Sequence, residues 1–354
     1  MVENSSAPKA PRGRTRNKLN DVVSRLRAAI ISGEHPPGSR LQTYDELEPL
    51  LEVSRATLRH AISVLKREGF IESVERSRMM VSKNPPHLTR YGLIFREAGL
   101  ENRFHQTLAH VAQEMSLKGQ VEIPIFHGIH PGSEHPDRKR LIQQINSHRL
   151  AGLILRSQPE FLKGTGAMED LTLPKVGPRP QSEGGIHHIV LDNQSLTDLA
   201  IEQFAARGRK KIAAIAYGRA PVEEQFWRSC AAYGVQCRPE WYVKVGLDYP
   251  QTARNIVRLI FGLPKAERPE GLLILDDNFM EEACAGLISM GVRVPEEVEV
   301  VSHCTWPRPV PSMLPIRYVG FDAREVLDAS IRIINQARSK EPVVDAVVQA
   351  KQLI

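Results

Sequence analysis

The chain has 354 residues, 42% hydrophobic and 25% charged, globular proportions that exclude disorder throughout and allow two or three domains with self-sufficient cores. Of its 47 Lys and Arg and 41 Asp and Glu, 16 and 10 lie in residues 1–90, leaving 31 of each in 91–354, so the whole net charge of +6 sits in the first quarter. That split is the footprint of a nucleic-acid-binding module joined to a larger neutral part, with a solvated basic tail as the alternative, since Lys9, Arg12, Arg14, Arg16 and Lys18 cluster ahead of any apolar periodicity.

Residues 1–17 read as a disordered basic arm. They lack the apolar core of a secretory signal, and nowhere do 18 apolar residues run together, so a cytoplasmic protein without a membrane partner is expected. From Leu19 the apolar residues Val22, Val23, Leu26 and Ile30 recur at helical spacing until Gly33. Pro36, Pro37 and Gly38 force a turn. Thr43 with Glu46 has the form of a capping box, and Pro49 should kink or shorten the helix that follows. Ser54 caps a third helix that runs to Gly69, and two short strand-like runs, 70–74 and 79–81, flank Arg76, Ser77 and Arg78.

Helices, a tight turn and a two-stranded ribbon over residues 18–82 predict a winged helix-turn-helix. Its third helix buries Leu58, Ile62 and Leu65 and turns Arg55, Thr57, Arg59 and His60 toward a major groove. A small helical bundle with merely solvated arginines is the alternative. The run from Leu26 to Glu72 resembles the DNA-binding domain of the GntR family of bacterial regulators, through SGE-PPGSRL at 32–41, VSRATLR at 53–59 and LKREGFIE at 65–72. The resemblance implies that Arg55 and Arg59 contact double-stranded operator DNA, that Ser54 and Thr57 meet phosphate or base edges, and that a homodimer spans a pseudo-palindrome. Three positions depart from the family: Asp45 stands for an arginine, Glu52 for the turn glycine, and Arg76-Ser77-Arg78 for a glycine-bearing wing tip. The two wing arginines supply charge where the glycines supply close approach.

Residues 83–89, with Pro85 and Pro86, read as a semi-rigid linker. Over 90–345 strand-like runs at 91–95, 121–126, 152–155, 187–191, 211–217, 241–245, 271–275, 298–302 and 316–320 alternate with helical patterns, clearest at 196–207, 252–261, 279–290 and 323–337. Continuous apolar strands alternating with amphipathic helices predict an α/β protein of two doubly wound parallel-sheet lobes. In such folds ligands meet the carboxyl ends of strands, which places Asp192, Asp276, Asp277, His303 and Cys304 at the candidate site. Carboxylates there accept hydroxyl hydrogen bonds from a sugar or polyol; helix capping is the alternative for Asp192 and Asp277.

No dinucleotide or nucleotide-triphosphate fingerprint follows a strand, so no cofactor is expected. The four cysteines form no CxxC pair, and neither the loop 130–136 nor the pair His187, His188 brings a third ligand, so no metal is expected either. Residues 90–340 resemble the effector domain of LacI/GalR-type repressors, best over Gly271–Ser302, and the pairing of the two resemblances is similar to that of arabinose-responsive repressors. By position Phe104 matches a pocket-lining aromatic, Asp192 and Asp276 match polar ligand-contacting positions, and Asp277 matches the acidic residue beside Asp276. The family's aspartate at Cys304 and arginine near Glu223 are missing. His303, Trp227 and Trp306 are offered as replacements, with core packing the alternative for both tryptophans.

The reading is thus a repressor whose operator affinity is set by a small carbohydrate-like effector. A constitutive DNA binder with a decayed or non-sugar pocket is the alternative. A transport-type solute binder would need an export signal. An enzyme is disfavoured, because Asp276 and Asp277 would point to opposite faces of a strand and His303 and Cys304 are neighbours.

Overall fold

The computed structural model describes residues 12–74, 78–99, 102–119, 121–178, 186–218 and 220–353. The chain divides into two compact units, one of residues 1–90 with 142–151, the other of 91–141 with 152–354.

In the first unit, α1 (Arg12–Ile31) starts inside the segment expected to be an irregular arm; residues 1–11 lie outside the described ones. It ends where Gly33 takes a positive φ of 84°. α2 (Tyr44–Leu51) opens on the expected capping box, Glu46 N donating to Thr43 Oγ1 and Thr43 N to Glu46 Oε2. Pro49 shortens it to eight residues, and Glu52 ends it in the left-handed conformation, φ 54° and ψ 44°, at the position where the resembled family has glycine. α3 (Arg55–Arg67) is capped by Ser54, whose hydroxyl accepts from Thr57 N, and buries Leu58, Ala61, Ile62 and Leu65.

α3 packs on α1 through those residues and Val22, Val23, Leu26 and Ile30. Its C-terminus is tied to α1 by Arg27 and Glu68, 2.5 Å apart and nearly buried. β1 (Ile71–Val74) and β2 (Arg78–Val81) pair antiparallel, Ile71 opposite Val81. Residues 38–41 run along the far side of β2, Leu41 N donating to Met79 O. The expected linker carries one helical turn, α4 (Pro86–Thr89), with Pro86 buried and the His87 ring stacked 5.7 Å from Phe70.

In the second unit the first lobe holds β3 (Tyr91–Ile94), α5 (Arg103–Leu117), β4 (Ile125–Phe126), part of α6 (Pro136–Asn146), β5 (Gly152–Leu155), β6 (Lys175–Gly177) and β7 (His187–Leu191). The strand expected over 121–126 shrinks to two residues, yet Tyr91, Leu93 and Phe95 still donate to the carbonyls of Glu122, Pro124 and Phe126. The second lobe holds α7 (Asn193–Ala205), β8 (Lys211–Tyr217), α8 (Ala220–Tyr233), β9 (Gln236–Val245), α9 (Thr252–Phe261), β10 (Gly271–Ile274), α10 (Met280–Ser289), β11 (Glu299–Trp306) and β12 (Arg317–Asp322). α11 (Ala323–Arg338) then returns to the first lobe. β13 (Ala346–Val348) and β14 (Lys351–Leu353), beyond the sequence-derived end of the body, complete the two sheets.

The sheets run β13-β7-β6-β5-β3-β4, all parallel, and β14-β12-β11-β10-β8-β9, parallel except for β14. β3, β5 and β10 are buried along their whole length, which explains their unbroken apolar runs. The chain crosses between lobes before α7, before α11 and between β13 and β14. α11 lies on β5, β6 and β7 of the first lobe, and α7 lies on β11, β12 and β14 of the second. The parallel arrangement is visible at two glycines. A Cβ on Gly152, opening β5, would come within 2.5 Å of Ile334 of α11, and one on Gly271, opening β10, within 2.6 Å of the Phe204 ring of α7. Each lobe therefore needs glycine where a crossing helix presses on its central strand.

Candidate functional sites

On the head, Ser54, Arg55, Arg59 and His60 are exposed and Thr57 is half-buried, opposite the buried Leu58, Ile62 and Leu65. Ser54 and Thr57 share a hydroxyl contact of 3.0 Å, so both already serve the helix start. Arg55 is not a free cation: its Nη1 donates to Asp45 Oδ1 at 2.5 Å, its Nε lies 4.0 Å from Glu48, and its guanidinium sits 5.6 Å over the Tyr44 ring. The hydrogen bond and charge of Asp45 raise the Arg55 pKa. The acidic residue that departs from the family thus fixes the first arginine of the exposed face against α2, while Arg59 is exposed and forms no ion pair among the described residues. Arg78 is exposed at the start of β2; Arg76 lies outside the described residues.

Between the two lobes of the body, at the carboxyl ends of the strands, a cavity of about 190 Å³ is lined by Phe104, Arg156, Asp276, Asp277, Asn278 and His303 among others. Asp276 follows β10 and caps a 3-10 turn, Oδ1 accepting from Asn278 N at 3.0 Å and Nδ2 at 2.6 Å. Burial raises its pKa. Because Asp276 and Asp277 lie past the end of the strand, alternation does not separate them, and both reach the cavity. That corrects the expectation of opposite faces. Asp277 is nearly fully buried, with Thr305 Oγ1 donating to its Oδ2 at 3.4 Å and His303 Nδ1 3.7 Å from its Oδ1, an ionic contact longer than a hydrogen bond. Burial alone would lower the His303 pKa, but the Asp277 carboxylate, then Asp276, raises it.

Two expected site residues fall outside the lining. Asp192 spends its carboxylate on α7, accepting from Gln194 N at 3.0 Å and Ser195 N at 3.2 Å, which is the capping alternative. It is also a crossover residue, its N donating to Val348 O at 2.9 Å. Cys304 is wholly buried beside His303, since neighbours on a strand face opposite ways, and burial pushes its thiol pKa up. Glu223 pairs with Lys244 at 2.5 Å, Trp227 packs on Phe226 and Tyr242, and Trp306 meets Tyr318 edge-on, so neither tryptophan lines the cavity.

A larger cavity of about 680 Å³ lies on the first lobe, lined by Arg96, His105, His130, Arg156, Ser157 and Gln158 with Glu160. Sequence reasoning missed these cations, although Arg96 and Arg156 follow the runs YGLIF and GLIL as directly as Asp276 follows GLLIL.

Residues 18–81 match the family described as bacterial regulatory proteins, gntR family. The head is a GntR-family helix-turn-helix. Residues 201–348 match a periplasmic binding protein-like domain, so the GntR head is joined to a periplasmic-binding-like body in a DNA-binding regulator of transcription. No curated protein matches the chain in sequence. Among solved structures, a regulatory protein of the LacI family from Chloroflexus aggregans is 17% identical, with a TM-score of 0.58 over 75% of this chain and 96% of its own. A putative ribose operon repressor from Burkholderia thailandensis is 20% identical, with a TM-score of 0.55 over 75% and 98%. A LacI family regulator from Lactobacillus casei with bound glucose is 15% identical, with a TM-score of 0.52 over 75% and 98%. At these identities the likeness speaks for the fold of the body. No helix among the described residues is long and apolar enough to cross a membrane.

Proposed function

We propose that the chain is a cytoplasmic, homodimeric repressor that works by binding and not by catalysis. In this reading α3 of each GntR head enters the major groove of one operator half-site, with Arg59 and His60 at base edges or phosphate, Arg55 positioned by Asp45, and Ser54, Thr57, Arg76 and Arg78 near the backbone. A carbohydrate in the cleft accepts and donates hydrogen bonds through its hydroxyls, with Asp276 as an acceptor, Phe104 as an apolar wall, and Asp277 holding His303 in place.

The single observation that carries the reading is the placement of Asp276, Asp277, Phe104 and His303 around one cavity between lobes that the chain crosses at several points. Such crossovers let the lobes hinge. A ligand that prefers one hinge state shifts operator affinity by the ratio of its affinities for the two states. The structural neighbours named for a ribose operon and for bound glucose support a carbohydrate.

The second reading, a constitutive regulator whose pocket has decayed, is favoured by the burial of Cys304 and the pairing of Glu223 with Lys244. A thermal-shift screen of the purified chain against pentoses, hexoses, sugar acids and sugar phosphates separates the two. A rise with one sugar class that disappears in Asp276→Ala, and a change in DNA binding when that sugar is added, are the expected results. A flat screen favours the decayed pocket.

A further inference from the structure

The wall of the cleft that belongs to the first lobe is cationic, and neither operator contact nor hydroxyl recognition by Asp276 uses it. Arg96 follows β3, Arg156 follows β5, and His130 follows β4, so three parallel strands deliver positive or protonatable groups to one carboxyl-end rim. His105 joins them from the first turn of α5, its Nδ1 3.1 Å from Asn102 Nδ2. Ser157 and Gln158 add neutral donors, and Glu160 is the one carboxylate among these lining residues. Arg96 is exposed.

Arg156 lines both this cavity and the smaller one containing Asp276, with its guanidinium 4.8 Å over the Phe104 ring. The two spaces therefore share Arg156 as a wall, with guanidinium donors on the first-lobe side and carboxylate acceptors on the second-lobe side. A neutral sugar filling that space would take water away from the exposed Arg96 guanidinium and return only neutral acceptors. An anion returns charge-assisted, bidentate hydrogen bonds, which arginine is shaped to make.

Resting on the reading of the cleft as a carbohydrate site, we infer that the effector is an anionic polyol: a hydroxylated molecule bearing a carboxylate or a phosphate. Its anion is bound by Arg96 and Arg156, and its hydroxyls extend toward Asp276. A carboxylate and a phosphate share the chemistry that this wall recognises, and the test separates them.

The experiment is isothermal titration of the full chain with matched sets: D-glucose, D-gluconate and D-glucose 6-phosphate, and D-ribose, D-ribonate and D-ribose 5-phosphate. One anionic member is expected to bind about tenfold or more tightly than its neutral parent, with the advantage shrinking as salt is raised. Which anion wins decides between carboxylate and phosphate. In Arg96→Ala, an exposed position whose fold is checked by circular dichroism, the ratio of anionic to neutral affinity falls toward one, and Arg96→Lys restores part of it. A neutral parent that binds as tightly as its anions, or a ratio unchanged in Arg96→Ala, overturns the inference while leaving the carbohydrate reading intact. Failure of every member to bind overturns both.

Discussion

Glu68→Gln should unfold the head well below the temperature at which the wild type does. Glu68 is the C-cap of the helix that carries Arg55, Arg59 and His60, and its carboxylate meets Arg27 of α1 at 2.5 Å. The two side chains are only 10% and 18% exposed, with the Arg27 guanidinium 5.7 Å over the Phe70 ring. Neutralising Glu68 leaves the Arg27 charge with little water and no counter-charge. Breaking a fully buried pair this way costs about 3–5 kcal/mol, and the residual exposure here reduces that to about 2–3 kcal/mol. For a head of this size each kcal/mol moves Tm by about 4–8 °C, so the head transition should fall by about 10–20 °C. Scanning calorimetry of the full chain, with circular dichroism as a second probe, reads that shift. Replacing both partners by apolar residues, Arg27→Met with Glu68→Leu, should recover most of the loss, because the penalty is an orphaned charge and not a missing contact. If Glu68→Gln melts within about 0.5 kcal/mol of the wild type, the burial argued for this pair is wrong.

Glu52→Gly should stabilise the head by about 0.5–1 kcal/mol, since it removes a side chain from a left-handed residue while adding unfolded-state entropy. Urea titration checks this, and a loss of stability would contradict it. Asp192→Ala should cost the body about 1 kcal/mol through the lost cap of α7, measurable by the same titration; an unchanged midpoint would show that the carboxylate does not cap. The raised His303 pKa gives the body a stability that is complete below the ordinary imidazole value of 6.5 and fades as pH rises through the higher folded value. The stability difference between wild type and His303→Gln should therefore shrink as pH rises above 6.5, and a difference that stays flat across that range would refute the ionic contact with Asp277.

Much of this architecture is legible in the sequence because burial writes itself into pattern. GLIL and GLLIL are continuous apolar runs since helices press on both faces, and Leu58, Ile62 and Leu65 mark one side of α3. Three residues of β6 and three each of β13 and β14 are too short to carry a period, so these strands went unread. β9 extends through Pro239, which a central strand would not tolerate, because it lies at the edge of its sheet. At the cleft, Asp276, Asp277 and His303 are legible because strands end there, whereas Phe104, in the first turn of α5, is legible only through the resemblance to the LacI/GalR effector domain. Asp192 met the same rule, but two backbone N–H groups of α7 claim its carboxylate. Cys304 failed because β11 runs on to Trp306, so alternation turns the thiol away from His303. The ion pair of Asp45 with Arg55 joins residues on two helices, and no local pattern announces it.

Regulation by this chain turns first on α3 reading operator DNA. Fluorescence anisotropy of the full chain on its own upstream DNA, over a series of salt concentrations and against scrambled DNA of the same composition, measures this for the wild type and Arg59→Ala. The expected result is tighter binding to the upstream sequence, with log affinity falling linearly in log salt. In Arg59→Ala the slope should become shallower by about 0.9 if the contact is to phosphate, or the preference over scrambled DNA should weaken if it is to a base. Equal affinity for both DNAs, or an Arg59→Ala protein that matches the wild type in slope and preference, would contradict it.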